Sequence, residues 1–93
     1  TLDRLIQDGV IGRVHKVKYL AAHEGPKEIG CTPYFYNWLY DAEKNGAGAL
    51  MDYCCYGADM AAHWLGRPES VVGIADTLVK PDFPVDDNAI ILM

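Results

Sequence analysis

The stretch from Gly46 to Gly66 reads GAGALMDYCCYGADMAAHWLG and carries the clearest helical pattern in the chain. No proline interrupts residues 49–65. Gly66 and Pro68 follow where helices commonly end, because glycine readily closes a helix and proline cannot continue one. The sequence therefore predicts a helix from Ala49 to Leu65.

One side of this predicted helix is polar. The spacing i, i+4, i+7, i+11 puts four polar side chains on one stripe, namely Asp52, Tyr56, Asp59 and His63. The opposite side is small and apolar and consists of Met51, Cys54, Ala58, Ala61, Ala62 and Leu65. We expect the helix to lie against a sheet, with its stripe toward solvent or a cleft. Periodicity alone does not separate a solvated face from a binding site.

Three small residues, Gly46, Ala47 and Gly48, precede the predicted helix. The first backbone amides of a helix lack intrahelical partners and lie at the positive end of its dipole. We therefore expect a ligand oxygen or a cofactor to approach closely at this turn.

The other segments are assigned by the same rules of pattern and punctuation. They are a short helix and turn over residues 2–12, a strand over 13–22, a long loop over 23–45 with one helical turn near Tyr36, and strands over 70–79 and 88–93. This order predicts an α+β fold with an open, predominantly antiparallel sheet and a helix packed on one face.

Composition excludes several classes of protein. The chain has 93 residues and a net charge of −5, and its eight lysines and arginines are scattered, which argues against a nucleic-acid partner. Its apolar stretches are too short for a membrane span. An odd number of cysteines (Cys31, Cys54 and Cys55) disfavours a disulfide framework and indicates a reducing cytoplasm.

Further roles for the polar stripe are less favoured. His63 can pair with Asp59 at i, i+4, although a histidine in the last helical turn is also stabilised by the helix dipole. A metal site built from Asp52, Asp59, His63 and Cys55 lacks a second cysteine pair and an H-x-x-x-H motif, so we predict no metal. Cys54 and Cys55 have no basic neighbour in the sequence, and packing is the expected role of Cys54.

The run GAGALMDYCCYGADMAAHWLG resembles, without a gap, the segment GGGxLxDxGxHxxD of the glucose-fructose oxidoreductase and inositol dehydrogenase (Gfo/Idh/MocA) family. Three flanking stretches resemble that family as well: LIQDGVIGRVHKVKY, WLYD and VDDNAIILM. The resemblance implies a glyceraldehyde-3-phosphate-dehydrogenase-like C-terminal domain over residues 13–93, here incomplete. Residues 1–12 are then the connecting helix from an N-terminal Rossmann domain.

The resemblance also implies an activity. Family members transfer hydride between NAD or NADP and a sugar, polyol or related compound, and their open sheet often forms a subunit interface, which implies a homo-oligomer. The sequence contains neither G-x-G-x-x-G nor the family's Glu-Lys-Pro signature. We expect both to lie upstream, and this segment alone to be inactive.

Site residues follow from the same resemblance. Asp52 is expected to bind a substrate hydroxyl, Tyr56 to handle the proton, and Gly46, Ala47 and Gly48 to approach the cofactor. Most relatives have histidine where Tyr56 stands, whereas the glucose-fructose oxidoreductase branch has tyrosine. Because the pKa of a free phenol is about 10, accepting a proton near neutral pH would require a nearby cation. Ala47 also replaces the family's middle glycine.

Two further assignments remain open at this stage. Asp59 and Trp38 are candidate substrate contacts, and the aromatic cluster of Tyr34, Phe35, Tyr36, Trp38 and Tyr40 fits either a sugar-stacking wall or core packing, with core favoured for Trp38. The alternative to an oxidoreductase is a non-catalytic sheet domain that serves dimerisation or ligand binding.

Overall fold

The computed structural model describes residues 1–93. Along the chain the helices come first, and the two strands of a small sheet follow them. The elements are α1 (Leu2–Gln7), α2 (Pro33–Leu39), α3 (Ala42–Asn45), a π-helical segment (Leu50–Cys54), α4 (Cys55–Leu65), β1 (Val72–Asp76) and β2 (Asn88–Leu92). The predicted mixture of helices and antiparallel strands is confirmed.

The predicted long helix is confirmed, but it does not begin as an α-helix. Its first five residues, Leu50–Cys54, form a π-helical segment, and the α-helix proper runs over Cys55–Leu65. A π-helical turn closes hydrogen bonds to the fifth residue along and therefore holds one residue more than an α-turn. Gly66 closes α4 with a φ of 85°, a conformation that suits glycine.

The sheet has two antiparallel strands and two different faces. In its register Val72 lies opposite Leu92 and Ile74 opposite Ile90, so these four aliphatic side chains share one face, and all four are exposed. On the other face, Ala89 and Ile91 are half-buried, and β2 lies beside the π-helical segment. A helix on one face of the sheet is therefore confirmed, with contact at the start of the long helix.

The predicted strand over residues 13–22 is wrong. These residues form no ladder, and none of their backbone groups hydrogen-bonds to another backbone group. A strand needs a neighbour to pair with, and β1 and β2 pair with each other instead. An alternating pattern of strand-forming residues is therefore not sufficient to form a strand over residues 13–22.

The long loop contains more helix than expected. Pro33 occupies the first turn of α2, where the missing amide costs nothing, and the Asp41 carboxylate caps α3 by accepting hydrogen bonds from the amides of Glu43 and Lys44. The predicted turn near Tyr36 thus extends over Pro33–Leu39.

The interior of the molecule is small. Only Leu39 and Val85 are buried hydrophobic residues, with 4% and 7% of their surfaces exposed. Trp38 is 46% exposed, so the predicted core position is wrong for this residue. The shape is elongated, with extents of 46 × 28 × 22 Å. None of the helices combines the length and hydropathy needed to cross a bilayer.

Candidate functional site

The turn before the long helix is held by an aspartate from the loop between the strands. The carboxylate of Asp86 accepts a hydrogen bond from the amide of Gly48 at 2.8 Å and another from the amide of Leu50 at 2.7 Å. The Asp86 carbonyl oxygen accepts a third from the amide of Ala49 at 2.9 Å. The helix start is therefore anchored to the sheet.

These bonds correct the expectation for the glycine turn. The amides expected to be unpaired at Gly48 and beyond are occupied by Asp86, and the amide of Gly46 donates to Ala42. The Ala47 carbonyl accepts from the side chain of Asn45. A carboxylate already at the helix start also repels a phosphate. The turn therefore offers fewer free amides than expected, and the approach of a cofactor to Gly46, Ala47 and Gly48 stays a prediction.

Gly48 is required for a different reason from the one expected. A methyl group at this position would overlap the carbonyl oxygen of Asp86 and lie 2.8 Å from a methyl carbon of Val85. Gly48 is buried. The glycine therefore permits the close approach of the Asp86 loop.

Asp52 lies two residues into the π-helical segment and faces a pocket. Its side chain is 22% exposed, and its carboxylate accepts no hydrogen bond from the protein. Its one ion-pair partner is His23, whose Nε2 atom lies 3.6 Å from Oδ2 of Asp52. The oxygens of Asp52 therefore have no partner in the chain and are not fully buried, and the residue lines both pockets described below.

Two adjoining pockets meet at Asp52. The outer pocket has a volume of about 420 Å³ and the inner, more enclosed one about 390 Å³. Asp52, His23, Tyr19, Tyr53 and Pro26 line both.

The outer pocket brings the two predicted catalytic residues, Asp52 and Tyr56, to one space. Tyr56 is 57% exposed, and its ring stands edge-on to that of Tyr53 at 6.2 Å. The walls include Phe35 and Ile29, and His23 is the sole basic side chain among the residues that line the outer pocket. The arrangement offers one carboxylate, one imidazole and several phenols to a ligand.

Burial and neighbouring groups keep the phenol of Tyr19 and the thiol of Cys54 protonated by raising the pKa of each. Burial raises the pKa of Tyr19, and the phenols of Tyr53 and Tyr56 raise it further. Burial also raises the pKa of the Cys54 thiol, with a further contribution from Asp86. Cys54 is half-buried and lines the inner pocket, and all three cysteines are free.

The loop that carries His23 is attached to the loop between the strands. The ammonium group of Lys80 donates to the carboxylate of Glu28 and to the carbonyl of Glu24, each at 2.6 Å. Tyr40 packs edge-on against Phe83 with ring centroids 4.1 Å apart. These contacts close one side of the inner pocket.

The other candidate residues lie elsewhere. Asp59 is exposed and its side chain has no hydrogen-bonding partner within the chain, and Trp38 lines neither pocket. His63 pairs with Asp3 of α1 at 3.1 Å rather than with Asp59, and the same oxygen accepts a bond from the indole of Trp64. The indole and then the imidazole lower the pKa of Asp3. No group of three metal-ligating side chains forms.

Sequence reasoning missed two residues of this site. His23 begins the segment that the sequence predicts as a long loop, and only the fold brings it to Asp52. Asp86 is one of two adjacent aspartates before β2 and carries no local signal for a contact 38 residues away. The resemblance of VDDNAIILM to the family's later strand pointed to this stretch without assigning a role.

Comparison with protein-family models matched the GFO/IDH/MocA C-terminal domain over residues 1–93. Comparisons with curated proteins and with solved structures gave no match. The family match spans the glycine turn, the helix with Asp52 and Tyr56, and both strands. This domain is found in NAD(P)-dependent oxidoreductases. The chain belongs to the GFO/IDH/MocA family and forms its C-terminal domain.

Proposed function

We propose that this domain forms the substrate side of an oxidoreductase that transfers hydride between NAD or NADP and a sugar, polyol or related hydroxyl or carbonyl compound. The observation that carries the proposal is the shared outer pocket of Asp52 and Tyr56. Membership of the GFO/IDH/MocA family supports the class of reaction. The substrate assignment rests on the chemistry of the pocket.

Asp52 has the properties of a hydroxyl-binding residue. Its carboxylate is largely buried yet accepts no hydrogen bond from the chain, so its lone pairs are free for a ligand. An ionised carboxylate accepts stronger hydrogen bonds than a neutral group does. A substrate hydroxyl that donates to Asp52 would be fixed at the pocket floor.

Tyr56 is placed to exchange the proton of the reacting hydroxyl. Oxidation of an alcohol to a carbonyl releases that proton, and reduction takes one up. When bound, the nicotinamide cofactor accepts or supplies the hydride. The phenol of Tyr56 lies at the open side of the pocket, within reach of both solvent and a bound ligand.

The size and lining of the outer pocket fit a small polyhydroxylated compound. About 420 Å³ lies in the range of small-molecule sites. The rings of Tyr19, Tyr53 and Phe35 offer apolar faces for the C–H side of a sugar or cyclitol. The carboxylate and imidazole supply the few directed polar contacts that such sites use.

The exposed face of the sheet supports a second role, homo-oligomerisation. Val72, Ile74, Ile90 and Leu92 are each at least 60% exposed and form one contiguous aliphatic face. Such a face suits an interface between subunits. It equally favours the alternative function, in which the domain serves only dimerisation or ligand binding.

Substitution of Tyr56 tests the enzymatic proposal in the intact protein. We expect Tyr56→Phe to lower turnover about a hundredfold while cofactor affinity stays unchanged, because a positioned acid or base contributes about that much. Turnover is followed by nicotinamide absorbance over a panel of sugars and inositols. Tyr34→Phe is the matched control, since the Tyr34 side chain is 92% exposed and lines neither pocket.

Two outcomes would contradict the proposal. Equal turnover in Tyr56→Phe and Tyr34→Phe would remove Tyr56 from the mechanism. An intact protein without a G-x-G-x-x-G segment upstream of this domain would lack the means to bind the dinucleotide, and the non-catalytic alternative would then stand.

A further inference from the structure

We propose that His23 is a positioning residue for Asp52: its Nε2–H group orients the Asp52 carboxylate toward the substrate hydroxyl. The inference rests on the proposed function for what Asp52 then does. It is motivated by a pair of side chains that the fold, rather than the sequence, brings together.

The pair is close and shielded. Nε2 of His23 lies 3.6 Å from Oδ2 of Asp52, and the two side chains are 21% and 22% exposed. This distance is within ion-pair range but beyond a hydrogen bond, so the carboxylate keeps acceptor capacity for a ligand. Catalytic contacts are commonly long in unliganded sites and shorten when substrate binds.

The backbone selects one tautomer of the imidazole. The amide of Gly25 donates a hydrogen bond to Nδ1 of His23 at 2.8 Å. Nδ1 must therefore carry the lone pair, and in the neutral ring the hydrogen is on Nε2. That hydrogen is on the nitrogen nearest to Asp52.

The ring is held in place from two further sides. Tyr53 packs edge-on against it, with ring centroids 4.7 Å apart. The following loop is attached to the strand-connecting loop through Lys80, which donates to Glu24 and Glu28. His23 thus has a fixed orientation before any ligand arrives.

His23 is the only charged or ionisable partner that the structure pairs with Asp52. The Asp52 carboxylate accepts no backbone or side-chain hydrogen bond, and no lysine or arginine pairs with it. Lys80 lines the inner pocket, but its ammonium group is paired with Glu28. Removal of His23 would leave the carboxylate free to rotate.

Two substitutions separate the two nitrogens of His23. Glutamine places an amide N–H near the position of Nε2, whereas asparagine keeps an acceptor near Nδ1 for Gly25 but does not reach Asp52. In the intact enzyme we expect His23→Asn to lower kcat/KM about tenfold, mostly through kcat, and His23→Gln to stay within about threefold of wild type. Cofactor affinity and the unfolding midpoint should be unchanged in both.

The kinetic comparison has clear opposing outcomes. Equal kcat/KM in the two variants, whether both match wild type or both fall, overturns the inference. A loss in both that follows a lowered unfolding midpoint assigns His23 a structural role only.

A spectroscopic measurement decides the matter without turnover. In ¹⁵N NMR of the intact protein at alkaline pH, we expect His23 to carry its hydrogen on Nε2, and its Nε2 resonance to move in Asp52→Asn but not in Asp59→Asn. Asp59 is the matched control because it lies on α4, exposed and unpaired. An Nδ1–H tautomer, or a resonance that ignores Asp52→Asn, overturns the inference. If the wild-type enzyme oxidises no tested polyol, the proposed function fails while this spectrum still decides the pairing.

Discussion

The strand-connecting loop of residues 77–87 and the outer pocket both hold aspartates, but their carboxylates meet very different surroundings. In the loop, the carboxylates accept hydrogen bonds from five backbone amides, those of Gly48 and Leu50 for Asp86 and those of Leu78, Val79 and Lys80 for Asp87. In the pocket, the Asp52 carboxylate accepts none and has His23 as its one ion-pair partner. A carboxylate saturated by amides stabilises structure, whereas an unsaturated one is available to a ligand.

This contrast divides the segment that resembles the family's GGGxLxDxGxHxxD into two parts. Gly48 serves the fold, because it admits the Asp86 loop to the start of the helix. Asp52, only one turn later, lines the pocket. Substitutions in the first part should therefore change stability, and those in the second should change activity.

The largest expected effect on stability is that of Gly48→Ala. The added methyl group overlaps the Asp86 carbonyl, so the loop or the helix must shift, and we expect a loss of about 3 kcal/mol in the free energy of unfolding. Urea unfolding of the intact protein measures it. Gly73→Ala is the control, since its methyl group would meet only the Ile90 carbonyl oxygen at 4.0 Å. Equal stability of the two variants would refute the steric role of Gly48.

A smaller loss is expected for Asp86→Asn. The amide group of asparagine can accept only one of the two hydrogen bonds from Gly48 and Leu50 and turns a donor toward the other, which should cost about 2 kcal/mol. Asp52→Asn sharpens the comparison: we expect it to change the free energy of unfolding by less than about 1 kcal/mol, because no hydrogen bond is lost. Should Asp52→Asn prove as destabilising as Asp86→Asn, the division between the two regions would not hold.

The smallest effect concerns acid stability. The side-chain amide of Asn88 and the amides of Leu78, Val79 and Lys80 lower the pKa of Asp87 well below its usual value of 3.8. The hydrogen bonds to the ionised Asp87 carboxylate therefore stabilise the fold fully above its usual pKa of 3.8. Their contribution is lost as pH falls from there toward the lowered pKa of the folded state. Asp87→Asn should therefore flatten the decline in unfolding free energy below about pH 4. Asp82→Asn, which removes no hydrogen bond, should reproduce the wild-type decline.

Local signals predicted the helix and both strands. Gly66 marked the end of α4, and the turn-rich stretch between residues 79 and 88 marked the separation of β1 and β2. The prediction of a strand over residues 13–22 was wrong. A strand depends on a pairing partner elsewhere in the chain, and the composition of the segment does not reveal whether that partner exists. The predicted core position of Trp38 was also wrong. The core of this chain is too small to cover the indole, and the local sequence does not reveal the size of the core.

The roles of the site residues stay predictions, but the placement of two of them can be compared with the sequence. The family block identified Asp52 and Tyr56, and the fold places both at one pocket. His23 and Asp86 were not predicted, because each reaches the helix across many residues of chain with no periodic pattern to announce the contact. Sequence periodicity predicts which residues share a face of one helix or strand. It does not predict these two contacts, because each joins separate parts of the fold.

The π-helical segment has a consequence for how this site tolerates insertions and deletions. It accommodates one extra residue in the turn that carries Asp52, between the anchored glycine and the regular helix. Loss of a single residue there would return the turn to α-helical geometry and leave the downstream residues at their present rotation about the helix axis, whereas loss of one residue from the regular helix would rotate everything beyond it by about 100°. The π-helical turn is therefore the place where this helix can change its length without turning Tyr56 away from the pocket.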